Sequence, residues 1–336
     1  MRTAEVPLEY QPLIPGPPVA PDGLYQNACS NDANTVQGWG DIWANNIKAN
    51  RAFVGDFADR GVGKLFGRFQ HKACILAGSG PSLKVNGHLL KDRGGVPLIS
   101  CLHNFHFFED LDVKPDLYVS LDAGPVVLEE ISEGGKLTPD EYWARTKNHT
   151  LVAYIGSHPD LLKKWQGEIY FFNAGLPPCK ARDEAEAAAE FFTYLGSGGN
   201  VLGACLYLAK AVLGCSTTAF VGADFSFGYD KKFHGWDSKY DAELGHCLRV
   251  IDVYGIKRYT WQSYHNFKCW FEWVACSVPG VYVNCTEGGT LGAFDAGNIS
   301  QFKYMDLKDY LGMLNMNEHM RPQCENPKTP QNLMLF

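Results

Sequence analysis

Residues 74–84 read Cys74-Ile-Leu-Ala-Gly-Ser-Gly-Pro-Ser-Leu-Lys84, an apolar run that turns through small residues straight into a segment with helix-start signals. Gly78 and Gly80 allow the backbone to approach another group closely. Pro81 suits the first position of a helix, and a serine on either side of it can cap the amide donors there. These donors and the helix dipole favour an anion, so the stretch predicts a strand, a phosphate-binding turn and a helix.

Two common phosphate-binding motifs differ from this stretch. A dinucleotide fingerprint has a third glycine where this chain has Leu83, and an acidic residue after the next strand, where it has Ser100-Cys-Leu-His-Asn104. Gly61-Val-Gly-Lys64 resembles part of a Walker loop, but Ala58 and Leu65 replace its first glycine and its Ser/Thr. We therefore predict that the chain binds no NAD.

Composition limits the function further. The chain has 336 residues, 46% of them hydrophobic, which is enough to bury the core of one large α/β domain. The formal charge of -7 and the pI near 5.8 argue against general nucleic-acid binding, which depends on clustered Lys and Arg. No segment is apolar enough to span a bilayer and the N-terminus lacks a signal-peptide core, so we expect no membrane span and a cytoplasmic location.

The cysteines and histidines show no pattern of a structural metal site. The eleven cysteines are odd in number, scattered and free of Cys-x-x-Cys pairs, which indicates reduced thiols rather than disulfides. The histidines form neither His-x-His nor His-Glu-x-x-His. We expect no structural zinc and no haem.

Four segments are predicted along the chain. A proline-rich extended arm comes first, which either docks on a neighbouring copy in a homo-oligomer or stays loose. A helical segment with apolar residues at near-helical spacing follows, then the main domain and a polar tail. Their bounds are 1–25, 26–71, 72–312 and 313–336.

Within the main domain, strand-like runs alternate with helix-like segments. This order is typical of a doubly wound, mostly parallel Rossmann-like sheet with helices on both faces. A buried helix is predicted over 201–213, a hairpin over 248–261, and a flap over the polar and aromatic residues 229–247. The predicted strands are 73–77, 97–101, 117–121, 151–155, 169–172, 218–222 and 281–284.

Polar or glycine-rich sequence follows five of these strands, at the sheet edge where ligands gather in such folds. Asp122 is either a turn residue or a contact to ribose, metal or an acceptor hydroxyl. The same two interpretations apply to Asp224, whose phenylalanine neighbours would perturb its pKa. His234, on the predicted flap, has the near-neutral pKa that suits acid–base work or contact with a leaving anion. The five strand ends are Gly78 to Ser82, His103-Asn104, Asp122, Asp224 and Thr286 to Gly289.

Five stretches together resemble the Rossmann-like domain of archaeal 6-hydroxymethyl-dihydropterin diphosphokinases, which the bacterial motility accessory factor glycosyltransferases share. Members of this family also occur in phage genomes. The resemblance covers roughly residues 40 to 300 and implies a nucleotide-dependent transferase. The stretches are Ile75-Leu-Ala-Gly-Ser-Gly-Pro-Ser-Leu83, Val113-Lys-Pro-Asp-Leu-Tyr-Val-Ser-Leu-Asp122, Ser197-Gly-Gly-Asn-Val201, Phe220-Val-Gly-Ala-Asp224 with His234, and Asn284-Cys-Thr-Glu-Gly-Gly289.

The first stretch and Asn104 are also similar to the nucleotide-binding loops of bacterial sialyltransferases. That resemblance implies a nucleotide-sugar donor and places His234 near the departing phosphate. Ser79 stands where those enzymes carry asparagine, so the donor stays open between a CMP and a UDP type. The predicted nucleotide-binding residues are Gly78, Ser79, Gly80, Pro81, Ser82, Asn104, Asp122, Ser197, Gly198, Gly199 and Asn200.

The resemblance leaves two phosphate reactions open. In glycosyl transfer, the predicted roles are base for Asp224, leaving-group contact for His234 and orientation of an unknown hydroxyl acceptor for Glu287. In a diphosphokinase reaction with ATP, Mg²⁺ would be held by Asp122 and Asp224. The aromatic-rich region 225–275 favours the first reaction. A third hypothesis is a noncatalytic nucleotide-binding protein.

Overall fold

The computed structural model describes residues 21–236, 247–293 and 301–318, and in this part of the chain it shows a nine-stranded parallel sheet flanked by helices. This confirms the predicted α/β class. The strands of the sheet are β1 Ala73–Ala77, β2 Leu98–Cys101, β3 Leu117–Ser120, β4 Leu151–Tyr154, β5 Ile169–Ala174, β6 Tyr194–Leu195, β7 Thr217–Val221, β10 Val281–Asn284 and β11 Phe302–Tyr304. A separate antiparallel hairpin consists of β8 Leu248–Ile251 and β9 Lys257–Thr260, as predicted.

The helices follow the strands in the expected alternation. Their bounds are α1 Pro21–Val54, α2 Leu83–Asn86, α3 Phe105–Leu111, α4 Val126–Glu130, α5 Pro139–Arg145, α6 Pro159–Lys164, α7 Lys180–Ala189, α8 Val201–Tyr207, α9 Gln262–Ser277 and α10 Leu307–Glu318. The helix predicted after β1 is much shorter than expected, because four α-helical residues give way to a 3-10 helix at Gly87–Asp92. None of the helices in the described ranges is both long and apolar enough to cross a bilayer.

The strand order places a topological switch beside β1. The order is β11-β10-β7-β1-β2-β3-β4-β5-β6, so the chain builds the sheet outward on one side of β1 and then returns to pair β7 with its other side. Ligands of open parallel sheets bind outside the carboxyl ends of the strands at such a switch. The stretch at 74–84 and the turn after β7 both lie at this point.

The sequence of β1 explains its central position. Its residues from Cys74 onward are buried, and it is hydrogen-bonded to β2 on one side and β7 on the other. A strand with helices on both faces needs a continuous apolar run rather than an alternating one, and Cys-Ile-Leu-Ala is such a run. β6 and β11 are two or three residues long and were not predicted.

The N-terminal helix begins earlier than the sequence predicted. α1 begins at Pro21, inside the segment predicted as an extended arm, since proline fits the first turn of a helix where no amide donor is needed. α1 therefore runs across the predicted boundary between arm and helix at 25–26, and the predicted boundary before the tail at 313 falls inside α10. Residues 1–20, 319–336 and the flap residues 237–246 lie outside the described residues.

Candidate functional site

A cleft of about 210 Å³ opens at the switch point between β1 and β7. The turn after β1, the turn after β7 and the first turn of α8 supply one part of its wall, and side chains from α4 and α9 supply another. Its lining includes Gly78, Ser79, Gly80, Cys101, His103, Asp122, Glu130, Asn200, Asp224, Ser226, Phe233, His234, Tyr264 and Phe267.

Two glycine-containing turns approach each other at the floor of the cleft. Gly78 N donates to Val221 O and Gly80 N donates to Gly222 O, each at 2.9 Å. A Cβ atom on Gly80 would lie 2.1 Å from Oδ2 of Asp224, and one on Gly78 would lie 2.5 Å from Gly222 O. Only glycine fits at either position, because these contacts are closer than real Cβ atoms make.

Asp224 follows β7 and reaches across to the helix start after β1. Its side chain Oδ2 accepts hydrogen bonds from the backbone N and the Oγ of Ser82, at 3.3 and 2.7 Å. Burial raises the pKa of Asp224 to about 6, while the Ser82 hydrogen bonds and the charge of Arg258 act in the opposite direction. A carboxyl with this pKa suits acid–base catalysis near neutral pH.

Three of the amides in the predicted phosphate-binding turn are therefore bonded within the protein. Gly78 N and Gly80 N donate to the backbone after β7, and Ser82 N donates to Asp224. The carboxylate occupies the position at the helix start that the sequence assigned to a phosphate. An incoming phosphate has to displace Asp224 from Ser82 or bind elsewhere in the cleft. Pro81 and Ser82 lie behind the cleft and not in its lining.

Two histidines meet in the cleft. His234 is 8% exposed, and its Nδ1 lies 3.0 Å from Ser79 O, so Nδ1 carries the hydrogen that is donated to this carbonyl. The His103 ring meets it edge to face, with centroids 4.5 Å apart, and Trp236 stacks on it at 5.0 Å. The His103 Nε2 lies 3.8 Å from Oε2 of Glu133. These contacts fix the His234 ring beside the turn after β1.

Asp122 follows β3 and is half-buried at the side of the cleft. Burial raises its carboxyl pKa, and the charge of His103 lowers it. Its backbone is fixed, since its N donates to Ser120 Oγ and its O accepts from His158 N. Asp122 also lines a second cavity next to the cleft.

The charged residues that line the cleft indicate which side chains could hold a metal ion. Among the described lining residues the acidic ones are Asp122, Glu130 and Asp224, and none is Lys or Arg. The described ranges contain no group of three or more His, Cys, Asp or Glu side chains placed to hold a metal. Mg²⁺ usually takes only one or two carboxylates and fills its other positions with water and substrate phosphates, and Asp122 and Asp224 are two carboxylates in the lining of one cleft.

Two further predicted nucleotide-binding residues, Asn104 and Asn200, hold the backbone around the site in place. Asn104 is fully buried and donates from Nδ2 to Ala77 O and Gly78 O, so it holds the turn from beneath. Asn200 does line the cleft, and its Oδ1 caps α8 by accepting from Gly203 N at 2.9 Å.

The remaining members of the 197–200 turn lie further out. Ser197 and Gly199 line the second cavity. Gly198 packs against Trp270, since a Cβ atom there would lie 2.2 Å from the indole. Of the residues predicted at 197–200, Asn200 thus lines both cavities, and Ser197 and Gly199 line only the second.

Glu287 is not brought into the cleft. Its Oε1 accepts from Leu307 N at 2.9 Å, at the start of α10, and from Asn86 Nδ2 at 3.1 Å. It lines a separate acidic cavity together with Asp306 and Asp309. Its carboxylate caps a helix, so its predicted role in orienting an acceptor is not part of the function proposed below.

Some lining residues come from helices rather than from strand ends. Glu130 belongs to α4, and Tyr264 and Phe267 belong to α9, inside the aromatic-rich region 225–275 that the sequence connected with sugar transfer. Helical residues of this kind reach a strand-end site only through tertiary packing. A helix following a predicted strand end was the one feature that pointed to Glu130.

Comparisons with known proteins agree with this fold. The model of the family described as "6-hydroxymethylpterin diphosphokinase MptE-like" matches residues 45–230. A solved motility accessory factor (MAf) glycosyltransferase from Magnetospirillum magneticum AMB-1 is similar with a TM-score of 0.50 and 14% identity, which shows a shared fold. The similarity covers 74% of this chain and 37% of that one. No curated protein matches the sequence significantly. Because the family match spans more than half of the chain, the protein belongs to the MptE-like family.

Proposed function

We propose that the protein is a nucleotide-dependent transferase that moves a sugar from a nucleotide sugar to a hydroxyl acceptor in the cleft at the switch point. The family and the structural neighbour support a transferase-like role. One observation carries the proposal. Asp224 is a buried carboxylate with a pKa of about 6, and it lines this cleft together with His234.

Asp224 is the proposed base. At pH 7 a group with a pKa near 6 is mostly ionised, yet basic enough to accept a proton as the acceptor hydroxyl attacks. The oxygen of the acceptor bonds to the anomeric carbon, the bond from that carbon to the phosphate oxygen breaks, and the nucleotide leaves as an anion. The imidazoles of His234 and His103 line the cleft and can donate hydrogen bonds to that anion.

The acidic lining favours a second candidate, a diphosphokinase that uses Mg²⁺ and ATP, as the family name describes for its members. Three carboxylates would repel a polyphosphate, so such a nucleotide would enter as a magnesium complex. Asp122 and Asp224 would hold the ion, and the acceptor alcohol would receive a diphosphate while AMP leaves. In this reaction Asp224 is a ligand rather than a base.

A thermal-shift panel separates the candidates. CMP, CDP, UDP, GDP and ATP are each added with and without Mg²⁺. Stabilisation by CMP, CDP or UDP without Mg²⁺ supports sugar transfer, whereas stabilisation by ATP only with Mg²⁺ supports the diphosphokinase. A protein that responds to none of the five contradicts both.

Asp224→Asn tests the base directly. In the sugar-transfer reaction this variant still binds nucleotide without metal and loses turnover by about 10²–10⁴-fold, the usual contribution of a general base. Asp59→Asn makes the same replacement of a carboxylate by an amide at an exposed position and serves as the matched control. Asp224→Asn with undiminished turnover would remove the basis of the proposal.

A further inference from the structure

A second cavity of about 200 Å³ adjoins the cleft. Asp122 and Asn200 line both, so a ligand in one lies beside a ligand in the other. The residues that line the second cavity but not the cleft include three aromatic side chains. Trp39 and Trp43 come from α1 and Tyr154 comes from the end of β4.

Helix α1 is fixed over the carboxyl edge of the sheet by two asparagines one turn apart. Asn50 Nδ2 donates to Ile155 O and Ser157 O, both at 2.8 Å. Asn46 Nδ2 donates to two further carbonyls in the loops after β3 and β4, at 3.0 and 3.1 Å. Four hydrogen bonds to loop carbonyls hold α1 against the loops after β3 and β4, and Trp43 lies within one helical turn of Asn46.

The two indoles are consequently positioned before any ligand arrives. Trp43 is 6% exposed and meets Tyr154 edge to face, with centroids 6.2 Å apart. Trp39 is 38% exposed and lies on the backbone of Gly124, where a Cβ atom would approach its ring to 3.0 Å. A preorganised aromatic surface binds a ligand without the entropic cost of ordering the side chains.

The chemistry of this wall selects a neutral, hydroxylated ring. Among its described lining residues only Asp122 is charged, so the cavity offers nothing to balance a phosphate. The negative faces of indole rings attract the weakly positive C–H groups of a sugar ring. The Asp122 carboxylate accepts hydrogen bonds from hydroxyls, and the Asn200 amide can donate or accept them.

We propose that this second cavity is the acceptor subsite and that it binds a neutral sugar ring stacked on Trp39. The inference rests on the proposed sugar transfer and names its acceptor class. The acceptor hydroxyl faces the wall shared through Asp122, and its oxygen bonds to the anomeric carbon of the donor. Its proton goes to Asp224, and the nucleotide leaves with the electrons of the broken carbon–oxygen bond.

Saturation-transfer NMR on the full chain tests the subsite without a known acceptor. The probes are methyl α-glucopyranoside, methyl β-galactopyranoside and N-acetylglucosamine at millimolar concentration, with glucose 6-phosphate as the charged comparison. At least one neutral sugar should receive saturation at its ring C–H groups, with at least fivefold less for the phosphate. The signal should fall at least fivefold in Trp39→Ala and persist in Trp39→Phe.

Phe53→Ala is the matched control, since Phe53 is another exposed aromatic on α1 (51% exposed) that does not line the cavity. No transfer to any neutral sugar, or equal transfer in Trp39→Ala, overturns the proposal. Displacement of the sugar by AMP or CMP also overturns it, because the cavity would then hold the nucleotide base.

The same samples separate this inference from the proposed function. If no nucleotide shifts the melting temperature but sugar binding depends on Trp39, the subsite stands and the nucleotide-dependent reaction fails. If nucleotides stabilise the protein and no sugar binds, the reaction stands and the acceptor class fails.

Discussion

Replacing Asp224 by Asn should make the folded protein more stable at neutral pH while it removes turnover. The pKa of Asp224 is about 6 against an ordinary value of 3.8. Each pKa unit corresponds to about 1.4 kcal/mol, so ionised Asp224 costs the folded state about 3 kcal/mol. The asparagine oxygen can still accept from Ser82, and the variant carries no buried charge.

The pH dependence follows from the direction of the shift. A carboxyl with a raised pKa in the folded state binds its proton more tightly there than in the unfolded chain. The stability that the protonated Asp224 carboxyl gives the folded state is fully present below pH 3.8 and is lost as pH rises through about 6. Asp224→Asn should therefore gain up to about 3 kcal/mol on the wild type at pH 7.5, and the gain should shrink towards zero near pH 4.

Urea unfolding of both proteins at intervals between pH 4 and pH 8 measures this difference. Subtracting the two free energies of unfolding removes the contributions of the other titrating groups, because both chains contain these groups. Asp59→Asn should show a flat difference over the same range, since this carboxylate is exposed. A flat difference for Asp224→Asn, or a loss of stability at pH 7.5, would refute the assignment of Asp224 as a buried, costly carboxylate.

Three further changes probe the site and its supports. Gly80→Ala should destabilise the fold by about 1–3 kcal/mol in urea unfolding and abolish nucleotide-induced stabilisation, because the new Cβ meets backbone and carboxylate oxygens. Gly63 has open space around it, so Gly63→Ala should have neither effect. Glu287→Ala should cost about 1–2 kcal/mol through the lost cap at Leu307 N but leave the KM for the acceptor unchanged; a raised KM would return Glu287 to the site. His106 is buried and its pKa is lowered to about 4, so the folded state loses stability as pH falls from 6.5 towards 4. His106→Gln should lack this acid-induced loss, and an unchanged pH profile would contradict it.

The sequence predicted the sheet because its strands are buried on both faces and are therefore continuous apolar runs. The strands at 73–77, 117–120 and 217–221 lie where the pattern placed them. Their polar ends converge because parallel strands share one carboxyl edge, and this brought Asp122 and Asp224 to one cleft. Local sequence pattern and sheet topology alone were therefore enough to predict the strands and the convergence of these two carboxylates.

What the sequence could not show depends on contacts between distant segments. Glycines after a strand are compatible with an open phosphate turn, and only the folded chain shows that Asp224 already bonds to Ser82 there. Glu287 follows a strand as the other candidates do, but the start of α10 lies nearby and takes its carboxylate. The aromatic wall from Trp39 belongs to a helix with no motif, so only its docking on the sheet reveals it.

The position of Asp224 at the helix start has a chemical consequence for the proposed reactions. Gly78 N, Gly80 N and Ser82 N are bonded within the protein, so the Asp224 carboxylate already occupies the helix start before a nucleotide enters. A phosphate can join it at that position if a proton neutralises Asp224 or if a divalent cation bridges carboxylate and phosphate. The first route leaves an uncharged carboxyl that cannot serve as a base until it loses its proton, and the second uses the same oxygens as ligands. The metal dependence of nucleotide binding therefore decides between the two candidate reactions, because each requires a different state of the same carboxylate.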